Sequence, residues 1–460
     1  MAEKLGTLID ALDVVVTVDD DRRLLRNHTI GIADGLVAGI WPTDEAGELQ
    51  ASQRISGRGR MAIPGLIDCH LHSSFALSRG LADECGAREF LLERMYRYEA
   101  SLTADDVALS ARLAMSELLL HGVTTFIDPG NTFPEATADA AGQLGIRASI
   151  GRSLFDVATS AFGSVPDNLW QETDQALAQA VADVDAYADH ERVWPSTSFR
   201  GVNNASDQLI KGLHEVARDG GLKLQTHAAF NYSTRDASMS KHGRSEIRRL
   251  HDLGVLDETM FLVHAGWLSA DDLEILVDSG AAVVISPSSS LHNGYGNLQQ
   301  GRHLELATRG VKVALGSDHA SSGLVDLIRE AYLLCGHTKE QNLDAKTFPP
   351  ETAVEMMTVN AATVAGRPEL GRLAVGSPAD VVLIDLHRPE MQPAFNPVSA
   401  LIYSGSGSLV TDVLVDGQHV VADGVLQTID LAELVADIEA FVRRTTDERG
   451  YGELIRNRWG

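Results

Sequence analysis

Runs of Val, Ile, Leu and Ala recur along the chain, separated by amphipathic stretches that open on acidic residues. The runs are Ala62 to His70, Val123 to Pro129, Ile146 to Leu154, Val193 to Arg200, Leu222 to His227, Met260 to His264, Ala281 to Ser286 and Val311 to Asp318. They are nearly continuous rather than alternating, as strands buried on both faces require. Between them, Thr103-Ala104-Asp105-Asp106 caps a helix through Leu120 that Gly122 stops, and Asp271-Asp272 and Glu351 open others. Eight such units predict an α/β protein with a (β/α)8 TIM-type barrel over residues 62–368. A doubly wound open sheet uses the same units. The barrel is preferred because ligand-type residues stand at the ends of many strands.

Two segments fall outside the eight units. Leu12 to Val18 and Gly31 to Ile40 read as strands, as do Ala379 to Asp385 and Val413 to Gln418. Neither segment has enough apolar surface to be stable alone, so 1–61 and 369–430 are expected to form one small composite β-sandwich domain. Residues 431–460 read as a charged helical tail.

Composition narrows the class. With 44% hydrophobic and 22% charged residues in 460, the chain is globular with a large core. A formal charge of −26 argues against nucleic acid or an anionic membrane as partner and leaves a small-molecule substrate. The three cysteines, Cys69, Cys85 and Cys335, are too scattered for a disulfide framework or a metal knuckle, which fits a reducing compartment. Met1-Ala2-Glu3-Lys4 does not open a signal peptide, and no apolar run approaches about 18 residues. A cytoplasmic enzyme, and a homo-oligomer, are expected.

The chemistry collects at strand ends. His70 and His72, spaced i, i+2, leave the same face of a strand and can converge on one point. His227, His264 and Asp318 close the fifth, sixth and eighth runs. The carboxyl ends of barrel strands form the active face, so these distant residues would meet there. Three imidazoles and a carboxylate can surround one divalent cation and leave a place for water. Zinc is the expected ion, with iron, cobalt and manganese as alternatives. A cation so held acidifies its water and polarises the electrophilic carbon. Asp318 could take the water's proton and deliver it to a leaving amine, while His264 stabilises the developing oxyanion.

The ordered set Pro64-Gly65-Leu66-Ile67-Asp68-Cys69-His70-Leu71-His72, Gly122-Val123-Thr124-Thr125, His227, His264, Gly316-Ser317-Asp318, Asn360-Ala361-Ala362 and Gly376-Ser377-Pro378-Ala379-Asp380-Val381-Val382 resembles the amidohydrolase superfamily. The likeness is to its branch of triazine hydrolases, guanine deaminase and phenylurea and thiocarbamate hydrolases. It implies a metal barrel with a composite β-domain, with His70, His72, His227 and Asp318 on the metal and His264 on water or substrate. Binuclear relatives hold a second metal with a carboxylated lysine at the end of the fourth strand. Here that run ends Ser196-Thr197-Ser198-Phe199-Arg200, so one ion is expected.

One departure bears on the substrate. The ring deaminases of this branch place a proton-shuttling glutamate three residues after the fifth-strand histidine, where this chain has Phe230. Cleavage of a urea, carbamate, thiocarbamate or amide needs only carbonyl activation and amine protonation, and is the expected reaction. The alternative is deamination or dechlorination of a triazine or purine ring. The cytidine deaminase type is excluded, since His-x-Glu with Pro-Cys-x-x-Cys is absent. A non-enzymatic metal-binding protein is the third class. Candidate substrate contacts are Phe230, Trp267 and Phe155 as an aromatic wall, unless they are plain core residues, Arg200, unless it pairs with an acid such as Asp236, and His292 on the loop after the seventh run. His319, next to Asp318, is expected to face away and support the site from behind, and Asp128 to act as a cap or support.

Overall fold

The computed structural model describes residues 5–47, 49–187, 190–321 and 323–455. Eight short parallel segments, buried along nearly their whole length, form its centre. Leu66–Asp68, Val123–Asp128, Arg147–Ile150 and Val193–Pro195 make a four-stranded sheet. Thr197–Gly201, Leu224–Ala228, Met260–His264, Ala282–Ile285 and Val313–Leu315 make a five-stranded one. The fourth strand belongs to both, passing from one sheet to the other at Ser196, whose N–H bonds to Ile150 O at 3.0 Å. At the opposite edges, Cys69 N–H bonds to Leu315 O at 2.9 Å and Leu71 bridges Asp318. The arrangement is TIM-barrel-like.

Apolar side chains pack on both faces of these strands. Ile67, Ile127, Phe261, Val263, Val284 and Ala314 pack inward with Ala361, Ala362 and Val364 of helix Val359–Val364. The outer faces meet helices such as Ala104–Leu120, whose Thr103 and Asp106 form the expected reciprocal cap. None of the helices described is long and apolar enough to cross a membrane.

Both ends of the chain enter one nine-stranded sheet. Its order is 425–426, 418–422, 410–415, 381–385, 60–64, 5–16, 24–33 and 36–42, with 51–56 pairing on 5–16. Two runs are divided differently from the sequence expectation. Ala62 to His70 splits at Gly65: Arg60–Pro64 pairs with 381–385, and Leu66–Asp68 with the second parallel strand. A Cβ on Gly65 would stand 2.1 Å from Thr124 Oγ1, so only glycine lets the chain switch sheets there. Gly31 to Ile40 is a hairpin whose turn, Asp34-Gly35, has φ values of 49° and 76°.

The sheet and the parallel strands are tied by Arg147. Its guanidinium, 12% exposed, pairs with Asp380 at 3.0 Å and with Asp416. Removing one partner of such a pair strands the others. Arg147→Met is therefore expected to lower unfolding stability by about 3 kcal/mol in a denaturant titration, with no change in metal content.

Candidate metal centre

The first and eighth strands bring the ligand-type residues together through their backbones. Asp318 N–H bonds to His70 O at 2.6 Å, and His72 N–H to Asp318 O at 2.6 Å. Gly316 permits this approach, since a Cβ there would lie 2.8 Å from both Cβ and N of His70. Buried Asp68 clamps the same two strand ends, accepting from His70 N at 3.0 Å, Ser317 N at 3.1 Å and Ser317 Oγ at 2.5 Å. Burial pushes its carboxyl up to about 6 against those bonds. Asp128 braces the next segment through Ser73 and Gly130 N, as expected of a support.

His227 ends the fifth strand with Nδ1 2.5 Å from the carbonyl oxygen of Arg200. That contact requires the proton on Nδ1 and leaves the Nε2 lone pair for the cluster. His264 ends the sixth strand at φ 79°, and Asp318 follows the eighth at φ 64°. Left-handed conformations in non-glycine residues cost energy and concentrate at functional sites.

Ligand atoms of His70, His72, His227 and Asp318 all lie within 4.8 Å of one another. His72 Nε2 is 3.3 Å from His227 Nε2, and His70 Nε2 is 3.2 Å from Asp318 Oδ1. Bonds of about 2.1 Å in a tetrahedral set give edges of about 3.4 Å, so this spacing fits a single cation. Neither ring nitrogen of His70 meets a partner in hydrogen-bonding geometry among the described residues, although the residue is fully buried. His264 Nε2 stands 3.8 Å from Asp318 Oδ2, beside the four rather than among them.

Burial pushes the imidazoles of His72 and His227 well below their ordinary range, and that of His264 to about 4, so all three are neutral at neutral pH. Burial alone would raise the Asp318 carboxyl, but the imidazoles of His319, His70 and His264 outweigh it and hold the group ionised. Imidazole nitrogens and one carboxylate suit a divalent cation. Ser289 Oγ fixes the carboxylate, 2.5 Å from Asp318 Oδ2, and lies 3.0 Å from His319 Nε2. His319 was expected to face away. It lines the same cavity, because the positive φ of Asp318 breaks the alternation of an extended strand.

A cavity of about 660 Å³, its open mouth included, leads to the cluster. Phe75, Phe90, Tyr96, Phe162, Phe230 and Tyr295 line it, together with His72, His227, His264 and Asp318. The Phe230 ring lies 5.7 Å from that of His264 and 5.4 Å from that of Tyr295. Arg200 also lines the cavity, but its partner is Glu99, not Asp236. Its guanidinium sits 5.1 Å from the Phe155 ring, and its buried Nε has no hydrogen-bond partner among the described residues. Trp267 and His292 are not among the lining residues: Trp267 Nε1 donates to Tyr295 O at 2.9 Å, and His292 pairs with Asp83 at 3.3 Å. Among the lining residues that escaped sequence reasoning are Asn203, Tyr295 and Glu246. Glu246 follows the N-cap Ser245 and so reads as an ordinary acidic helix start.

Comparison with known proteins agrees with this geometry. Residues 61–420 match the Amidohydrolase family. A 5-methylthioadenosine/S-adenosylhomocysteine deaminase from Desulfovibrio desulfuricans is 31% identical over 447 residues, covering 95% of this chain and 98% of its own. Among solved structures, an adenosine deaminase from Xanthomonas campestris with bound zinc superposes with a TM-score of 0.89 at 24% identity, over 96% of this chain and 99% of that one. An atrazine chlorohydrolase from Arthrobacter aurescens complexed with zinc reaches 0.85 at 26% identity, over 95% and 100%. The chain belongs to the amidohydrolase family and is a hydrolase acting on carbon–nitrogen bonds other than peptide bonds.

Proposed function

We propose that this enzyme hydrolyses a substituent from a ring carbon of a nitrogen heterocycle, with an aminopurine nucleoside as the foremost substrate. The observation that carries the reading is the match, over nearly the full length of both chains, to relatives named as 5-methylthioadenosine/S-adenosylhomocysteine deaminases. The aromatic walls of the cavity support it, since a flat ring can stack between them. Hydrolysis of a urea, carbamate or amide, the reaction first expected, is the second reading. It is favoured by one observation, that an apolar ring stands at Phe230 where a shuttling carboxylate would serve a ring nitrogen.

In this reading His70, His72, His227 and Asp318 hold one divalent cation, with zinc expected. When bound, such an ion supplies an acidified water and polarises the electrophilic carbon. Asp318 accepts a proton from the attacking water and returns it to the leaving amine. His264, neutral and 3.8 Å from Asp318 Oδ2, orients that water or the oxygen formed from it. Phe230 and Tyr295 exclude solvent and stack the ring. Arg200, with its free Nε, is a substrate contact. We likewise read the eight strands as a closed (β/α)8 barrel over 62–368, with 1–61 and 369–430 as one β-domain and 431–460 as its tail.

Three outcomes are expected. Metal analysis should find one tightly held divalent ion per chain, and activity should vanish on chelation; two tight ions at full activity would contradict the single site. Assays of ammonia release from 5′-methylthioadenosine and 5′-deoxyadenosine should give kcat/KM above about 10⁴ M⁻¹s⁻¹. Turnover of phenylureas or carbamates alone would reverse the order of the two readings. Asp318→Asn should keep some metal and lose at least about a hundredfold in kcat, whereas wild-type turnover would move the proton transfer to another group.

A further inference from the structure

Hydrolysis at a ring carbon has a requirement that acyclic cleavage lacks. When water adds, the electron pair of the ring C=N bond moves onto nitrogen, and that nitrogen must receive a proton. Asp318 is occupied with the water, so a second acid is needed. Among the described residues lining the cavity, the carboxyl groups are those of Asp318 and Glu246.

Glu246 is 3% exposed and is fastened between the loops that follow the fourth and fifth strands. Its Oε2 accepts from Ala229 N at 2.7 Å, one peptide before Phe230, and lies 3.3 Å from Thr234 Oγ1. Its Oε1 accepts from Asn203 Nδ2 at 2.9 Å. The Asn203 amide cannot be reversed, because Nδ2 also donates to Thr234 O at 3.0 Å. The Thr234 hydroxyl has its own acceptor, Asn231 O, at 2.9 Å. A proton on Oε1 therefore finds no acceptor among the described residues. Arg249, on the same helix, is bound to Asp207 and to the carbonyls of Val202 and Ala205.

We propose that Glu246 is the second acid of the site, a catalytic residue that protonates the ring nitrogen next to the attacked carbon and so takes over the role for which Phe230 has no group. The assignment rests on the ring-hydrolysis reading above. The new C–O bond forms as one water proton passes to Asp318 and the Glu246 proton passes to the ring nitrogen. The C–N bond to the substituent then breaks, Asp318 protonates the departing amine, and the remaining hydroxyl proton returns to Glu246 as the C=O forms. Burial pushes this carboxyl up to about 7 against the Ala229 and Thr234 bonds, with Asp272 adding to the rise and Arg249 opposing it. A group so poised can both give and regain a proton near neutrality.

The test is steady-state kinetics of wild-type and Glu246→Gln holoenzyme with 5′-methylthioadenosine, alongside bound metal and thermal unfolding. The variant should lose at least about a hundredfold in kcat, with KM within about threefold and metal content unchanged. Wild-type kcat should fall as pH rises through about 7, where the acid loses its proton, and the variant should lack that fall. A brace for the loop would move KM, metal content or unfolding instead. A variant with kcat within threefold of wild type overturns the assignment alone, and absence of ring turnover by wild type overturns the ring reading with it. Should Glu246→Gln fail to fold, the wild-type profile decides: a kcat flat from pH 6 to pH 9 refutes the proposal.

Discussion

Everything at the centre of this protein depends on two backbone hydrogen bonds between the ends of the first and eighth strands, Asp318 N–H to His70 O and His72 N–H to Asp318 O. They join segments that lie far apart in sequence and set the Asp318 carboxylate against two imidazoles. The approach is possible because Gly316 has no side chain, and because Asp318 accepts a left-handed backbone that ordinary strand residues avoid. The cost is offset by Asp68, which binds both strand ends through three hydrogen bonds in a fully buried position. Strain and buried polarity thus sit at the same place. Such cost is tolerated where the surrounding core over-determines the geometry.

The electrostatics follow from the same burial. Withdrawing imidazoles from water removes their protons, and withdrawing a carboxylate would normally add one. Here His72 and His227 lose theirs while Asp318 stays ionised beside them. The Nε2 lone pair of His227 lies 3.3 Å from His72 Nε2, and buried His70 has no hydrogen-bond partner for either ring nitrogen among the described residues, an arrangement that a positive charge between the rings would stabilise. The supporting groups are matched to that purpose: the Arg200 carbonyl sets the His227 tautomer, and Ser289 holds Asp318.

The ligand-type residues were legible because strand-end position is a local property: an apolar run stops, and the histidine or aspartate at its end is placed. The barrel-like centre was legible for the same reason, in continuous runs such as Met260 to His264. What escaped was set by backbone torsion or by long-range packing. Gly65 divides one apolar run between two sheets, and Asp34-Gly35 folds another into a hairpin, neither altering hydrophobicity. His319 was misplaced because alternation assumes extended geometry, which the φ of Asp318 breaks. The pairing of Arg200 with Glu99 spans 101 residues, beyond any pattern rule. Glu246 resembles every other acidic helix start, and only its burial against the Ala229 loop sets it apart.

Side chains from three different regions of the barrel-like core, His70 with His72, His227 and Asp318, come within reach of one cation. Anomalous diffraction from zinc-loaded crystals tests this convergence most directly. A single peak is predicted, about 2.0–2.2 Å from a ring nitrogen of each of His70, His72 and His227 and from a carboxylate oxygen of Asp318. A peak with any other ligand set, or none inside this cluster at full zinc occupancy, would rule out these four residues as the metal site.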